Sequence, residues 1–195
     1  MQSGELLNLL KETGAIMDGH FLLTSGRHSN MYIEKFRILE NPAALDEVGR
    51  EMAEIVKNQN IDVVLGAAIG GILISGGVGR HLGVKHIFCE RVNGKMELRR
   101  GFCITKGQRI VIVEDIITTG GSVIELIELA ERQDAEIMHV VNLVDRSSGG
   151  VSFGVPSTAL LTIPSESWEP ENCVLCKQGM AIIQRGRTGK EMETV

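Results

Sequence analysis

Two adjacent acids close an apolar run and are followed at once by threonines and glycines in RIVIVEDIITTGGS, Arg109 to Ser122. Gly120 and Gly121 let backbone N–H groups turn towards an anion. Thr118, Thr119 and Ser122 add hydroxyl donors, and a helix opening behind them points its positive end at the same place. Together these make a cradle for a phosphate. An anion-binding loop has no need of carboxylates, so Glu114 and Asp115 suit a different partner: the hydroxyls of a sugar whose phosphate lies in the cradle. Without that function the stretch is a strand end with a solvated acid pair and a glycine turn. The metal-binding strand of a triphosphate-hydrolysing fold is another reading, but it requires a GxxxxGK[ST] loop that the sequence lacks. GVGRHLG, Gly77 to Gly83, has the wrong final spacing for a dinucleotide loop and falls inside a helical pattern.

A second group of residues is basic. ERVNGKMELRRGF, Glu90 to Phe102, carries Arg91, Lys95, Arg99 and Arg100 in a chain whose 20 Lys+Arg face 25 Asp+Glu, a formal charge of −5. That balance excludes field-driven attraction to nucleic acid or an anionic membrane, so an anionic ligand must be held locally. The loop is either a solvated charged hairpin or a mobile flap that closes over an anionic leaving group and excludes water. The five histidines show no HxH or HExxH spacing, which argues against a catalytic zinc and leaves them as surface or core residues. Cys173 and Cys176 form a lone CxxC; with no other cysteine nearby they read as plain thiols, a tail clip or intersubunit metal site being the alternative.

The elements that must position these groups follow from periodicity. Ser3 is placed to cap a short amphipathic helix over Glu5 to Lys11 with Gly14 as its left-handed stop, and Asn41-Pro42 opens a second helix running to about Lys57. Between them, Ala15 to Phe36 breaks around SGRHSN and predicts a small irregular subdomain. Apolar runs at Ile61–Leu65, His86–Cys89, Arg109–Val113 and Ile137–Val144 alternate with helical segments Ile72–Leu82 and Val123–Gln133. Thr158–Ile163 supplies a possible edge strand. This is an α/β chain with a mainly parallel sheet covered on both faces, and ligands in such sheets bind beyond the carboxyl ends of the strands. The polar tail begins at Ser165, with Trp168 expected to pack it onto the body. At 195 residues the chain is long enough for one domain of about 100–200 residues. Its most apolar uncharged stretch, Val63 to Val78, is broken by glycines and is shorter than the roughly 20 apolar residues of a membrane span. The acidic amphipathic start is unlike a secretory signal, and four cysteines are too few for a disulfide framework, so the expected compartment is the cytoplasm.

IVIVEDIITTGGS closely resembles the ribose-phosphate motif of type I phosphoribosyltransferases. FLLTSGRHSNMY, VVLGAAIGGILIS, GKMELRRGF, LVDRSSGG and PENCVLC resemble, in the same order, segments of bacterial orotate phosphoribosyltransferases. The resemblance implies a type I phosphoribosyltransferase fold over residues 1–195, with 1–40 and the tail forming a hood. It also implies conversion of orotate and phosphoribosyl pyrophosphate into orotidine monophosphate and pyrophosphate, with Mg2+ carried mainly by the substrate and not by side chains. By position, Asp115, Glu114, Lys95 and Arg91 become catalytic. Glu114, Asp115, Ile116, Ile117, Thr118, Thr119, Gly120, Gly121, Ser122, Arg91, Lys95 and Arg99 bind phosphoribosyl pyrophosphate, Thr118 and Arg146 bind orotate, and Ala68 to Gly71 offer N–H groups to pyrophosphate. A homodimer, the basic loop reaching into the neighbour's site, is implied as well. Two departures stand out. The loop reads Val92 and Glu97 where many members carry a lysine and a histidine, with Arg99 and Arg100 to supply the charge; the turn lysine reads Ile69-Gly70-Gly71 and the orotate-side lysine reads Thr24, leaving backbone amides, Arg27, His28 or Lys35 as substitutes. A purine phosphoribosyltransferase and a regulatory sensor of phosphoribosyl pyrophosphate are the rival readings; SGRHS and Arg146 favour an acidic pyrimidine, and no DNA-binding extension is apparent.

Overall fold

The computed structural model describes residues 3–23, 25–147, 150–163 and 166–185. Helix α1 (Ser3–Glu12) leads into the antiparallel strands β1 (Ile16–Leu22) and β2 (His28–Ile33). A short helix α2 (Phe36–Leu39) and the longer α3 (Pro42–Val56) follow. Ser3 lies in the first turn of α1 rather than ahead of it as a cap. Asn41 caps α3 as its sequence predicts, its Oδ1 accepting from the N–H groups of Ala43 and Ala44 at 3.1 Å each, with Pro42 in the first turn.

The body then alternates β3 (Val63–Ala67), α4 (Gly70–Leu82), β4 (Lys85–Val92), β5 (Lys95–Leu98), β6 (Arg109–Ile117), α5 (Gly121–Glu131), β7 (Glu136–Asp145) and β8 (Ser157–Thr162). The strand order is β5-β4-β3-β6-β7-β8; all neighbours are parallel except β4 and β5, which form a hairpin through Asn93-Gly94, and β8 is the expected edge. Side chains alternate between two cores. Val64, Val111, Val113, Val141 and Leu143 pack under α3 and α4; Val63, Leu65, Ile110, Ile112 and Val140 pack with Val123, Leu126 and Ala130 of α5. The two helices on the first face approach closely at glycines: a Cβ on Gly49 would lie 2.9 Å from the backbone of Gly77. GVGRHLG is thus a packed helix, ended by Gly83 in the left-handed conformation.

The segment expected to be irregular is a second sheet. Its order is β10-β1-β2-β9, and both edges come from the tail: β9 (Ser167–Trp168) lies against β2, and β10 (Ile183–Gln184) against β1. Trp168 accordingly packs the tail back, opposite His28. Between these edges lie a 3-10 turn, Pro170–Asn172, and the short helix α6 (Val174–Lys177). The register of β1 against β2 shifts between Asp18 and Phe21, which leaves the consecutive residues His20 and Phe21 both buried. Such a bulge conceals the two-residue alternation by which a strand is read from sequence.

Candidate active site

Because β3, β4, β6, β7 and β8 are parallel, their carboxyl ends share one edge of the sheet, and the reactive residues gather there. β6 delivers Glu114 and Asp115, only 7% and 3% exposed. Each carboxylate is held by the next residue's backbone: the Asp115 N–H donates to Glu114 Oε1 at 2.9 Å and the Ile116 N–H to Asp115 Oδ1 at 2.6 Å. Asp115 Oδ2 is buried, and the ammonium of Lys35 stands 2.7 Å from it in an ionic contact without hydrogen-bond alignment. Gly70 makes room for this carboxylate, since a Cβ there would come within 1.7 Å of Oδ2. Burial, and then the negative neighbour Asp115, push Glu114 up to about 8, so near neutrality it is largely protonated.

Beyond the acids, residues 116–123 line a concavity with Glu114. Gly120 adopts φ +76° at the start of α5, and a Cβ on it would strike Val151 at 2.6 Å and Phe153 at 3.0 Å. Glycine is therefore required both by conformation and by space. Thr118, Thr119 and Gly121 are exposed and Ser122 is half-buried, all at the N-terminal end of α5. Ile116 and Ile117 set the loop's position: the Ile116 N–H is committed to Asp115, the Ile117 carbonyl accepts from the Arg146 N–H at 2.8 Å, and the Ile117 side chain is core. That last bond sets Arg146 beside Thr118 at the ends of β7 and β6. The Arg146 Nε is buried without a hydrogen-bond partner, and burial pulls the guanidinium below its usual range. Burial, and then Glu34, raise Tyr32, while the charges of Arg185, Arg146 and Lys35 act on it in the opposite direction.

Of the suggested substitutes for the missing lysine, Lys35 reaches the site and two others do not. Arg27 is bound to the tail, its Nε donating to Ser167 Oγ at 3.0 Å, its Nη2 to the Ser167 carbonyl at 2.7 Å, and its Nη1 pairing with Glu169. His28 is buried against His20. Thr24, Ser148 and Gly149 lie outside the described residues. In the turn before α4, where the Ala68–Ile69 peptide is cis, the Ala68 N–H is spent on the Cys89 carbonyl at 2.8 Å. Only Ile69, Gly70 and Gly71 of that turn then have N–H groups to give, contrary to the expectation for Ala68.

The basic loop is a hairpin whose cations fall into two pairs. Arg91 forms a bidentate bond with Glu125 of α5, at 2.8 and 3.0 Å, and Arg100 does the same with Glu90 at 2.8 and 3.0 Å. Lys95 and Arg99 are exposed, and among the described residues neither forms an ion pair. Sequence reasoning did not foresee Tyr32, Arg185 or the Glu125 partner of Arg91, which enter the picture only through tertiary proximity.

A cradle for a phosphate beside two acids, at the carboxyl edge of a parallel sheet, defines a phosphoribosyltransferase, and the chain belongs to that family: the phosphoribosyl transferase domain matches residues 36–152. Relatives narrow the class. The orotate phosphoribosyltransferase of Desulforamulus reducens is 45% identical over 95% of this chain and 97% of its own. That of Thermotoga maritima is 44% identical over 93% and 97%. Among solved structures, orotate phosphoribosyltransferase from Aeropyrum pernix superposes with a TM-score of 0.68 at 26% identity, covering 89% of this chain and 98% of that one. Within the family, this chain is a member of the orotate phosphoribosyltransferases.

Proposed function

We propose that the chain transfers the phosphoribosyl group from phosphoribosyl pyrophosphate to orotate, giving orotidine 5′-monophosphate and pyrophosphate, a step of pyrimidine nucleotide synthesis. The observation that carries this reading is the meeting, at one sheet edge, of the glycine-threonine cradle, a buried acid pair and a half-buried arginine whose buried Nε has no partner. The cradle takes the 5′-phosphate. Asp115 and Glu114 take the ribose hydroxyls, Glu114 entering as a neutral donor as well as an acceptor because of its raised pKa. Arg146 offers the planar fork that suits the carboxylate of orotate, with Thr118 beside it.

The bond from the anomeric carbon to the pyrophosphate oxygen breaks ahead of bond formation to the ring nitrogen of orotate, which attacks as an anion, so little general acid or base work is required. Positive charge then gathers on the ribose. Asp115, which already holds the Lys35 cation at 2.7 Å, is placed to stabilise it. Negative charge gathers on pyrophosphate, and Lys95 and Arg99, the flap cations without ion pairs among the described residues, are the ones free to meet it; Arg91 joins them by leaving Glu125. Mg2+ fits a site whose donors are oxygens, with Glu114 and Asp115 nearest to hold it through the ribose hydroxyls, and when bound to pyrophosphate it neutralises leaving-group charge.

A homodimer belongs to the proposal, with Lys95 and Arg99 serving the neighbouring site. Ile69 and Leu73, 70% and 47% exposed next to the site, are apolar surface that a second copy would cover. No disulfide joins Cys89, Cys103, Cys173 or Cys176, which suits the cytoplasm as the compartment; no helix among the described residues is long and apolar enough to cross a membrane. The test is loss of orotate absorbance on mixing with phosphoribosyl pyrophosphate and magnesium, with uracil, xanthine and adenine in parallel. Consumption of orotate alone supports the reading. Binding of phosphoribosyl pyrophosphate without turnover of any base would favour the regulatory sensor.

A further inference from the structure

The lone CxxC was expected to be a pair of plain thiols because a closed zinc site needs four ligands and the other cysteines lie far away. The fold supplies the missing two as histidines. His20 and His28, from β1 and β2, meet Cys173 and Cys176 of the tail, and one ligand atom from each lies within 4.8 Å of all the others.

The distances are those of a coordination shell. His20 Nε2 is 3.0 Å from His28 Nδ1, 3.4 Å from Cys173 Sγ and 3.7 Å from Cys176 Sγ, while Cys176 Sγ is 3.3 Å from His28 Nδ1. A tetrahedral zinc with bonds of about 2.0–2.1 Å to nitrogen and 2.3 Å to sulfur separates its ligands by about 3.3–3.8 Å. The outer shell is also in place. His20 Nδ1 lies 2.9 Å from the Met180 carbonyl, and donating its proton there leaves Nε2 bare and facing the cluster. His20, His28 and Cys173 are 1%, 5% and 0% exposed. A strand bulge is what turns His20 inwards beside the already buried Phe21, so the backbone departs from regular pairing at the residue that anchors the cluster.

We propose that His20, His28, Cys173 and Cys176 bind one structural zinc ion that clips the tail to the hood. Binding replaces the two thiol protons, which go to solvent, so two thiolates and two neutral imidazoles leave the centre with no net charge, as suits a site with three buried ligands and an exposed Cys176. The clip sits between β9 and β10, the two strands that edge the hood sheet, and so fixes the stretch that delivers Arg185 near Tyr32. All four protein positions are filled, leaving none open for catalysis, and the magnesium-dependent transfer is a separate matter.

The test is metal analysis of the full chain purified reduced and without a metal-affinity tag, followed by Co2+ titration of protein stripped of metal. The proposal expects one zinc per chain surviving gel filtration. It also expects Co2+ uptake with the visible bands of tetrahedral cobalt and a thiolate charge-transfer band, and loss of the bound metal in Cys173→Ser and Cys176→Ser but not in Cys103→Ser. The cobalt spectrum needs no substitution and therefore reads the site even if a variant fails to fold. Absence of stoichiometric zinc together with no thiolate–cobalt band would overturn the site and leave a metal-free hydrogen-bonded cluster. Zinc retained by both serine variants would overturn it equally.

Discussion

On the proposed assignment, the phosphate side and the base side of this site are built in different ways. The phosphate side is contiguous: residues 114–122 run from strand to loop to helix, and one β6–α5 connection sets the acids, hydroxyls and glycines in place. The proposed base side draws on Tyr32 of β2 and Lys35 just after it, on Arg146 after β7 and on Arg185 of the tail, three stretches far apart in the sequence. A contiguous site is as secure as the core strand beneath it, whereas an assembled one depends on every segment that delivers a residue.

The contrast is broken most severely at Asp115. Asp115→Asn is expected to keep the fold, since Lys35 is only half-buried and can return to solvent, while turnover falls by the about 2.7–4 kcal/mol typical of losing a group aimed at transition-state charge. Steady-state kinetics beside a thermal melt checks this, and near-wild-type turnover removes Asp115 from its role. Next come the unpaired flap cations: Lys95→Ala and Arg99→Ala should lower turnover yet leave orotidine monophosphate binding intact by calorimetry. Equal loss of both would deny that the flap acts on pyrophosphate.

A third test concerns stability. With Glu114 raised from 4.5 to about 8 in the fold, the folded state binds the extra proton, so its contribution is fully present below about pH 4.5 and is lost as pH rises to about 8. Glu114→Gln, which cannot ionise, should flatten that decline in a series of melts across the window; parallel profiles for the two proteins would contradict the burial argument.

The same contrast explains what could be read from the sequence. The strands of the body, the Asn41 cap, the Gly14 stop and the acid–threonine–glycine loop all carry local signals, and the structure places each of them within a few residues of expectation. The hood does not. Its two-residue edge strands are too short to have a period, the bulge at Gly19-His20 hides the alternation of β1, and Cys173 meets His20 across most of the chain. Arg91 gave no local sign of its partner, because Glu125 lies one turn into a helix on another element.

The division between the two sides is tested most directly at Arg146, the half-buried arginine with a buried, unused Nε. Calorimetric titration of Arg146→Ala with phosphoribosyl pyrophosphate and, separately, with orotidine monophosphate reads each side of the site. Phosphoribosyl pyrophosphate binding should match the wild type while orotidine monophosphate weakens by at least about tenfold, as expected when a charged hydrogen-bond donor is removed. Equal weakening of both ligands, or of neither, would contradict a base side assembled around Arg146.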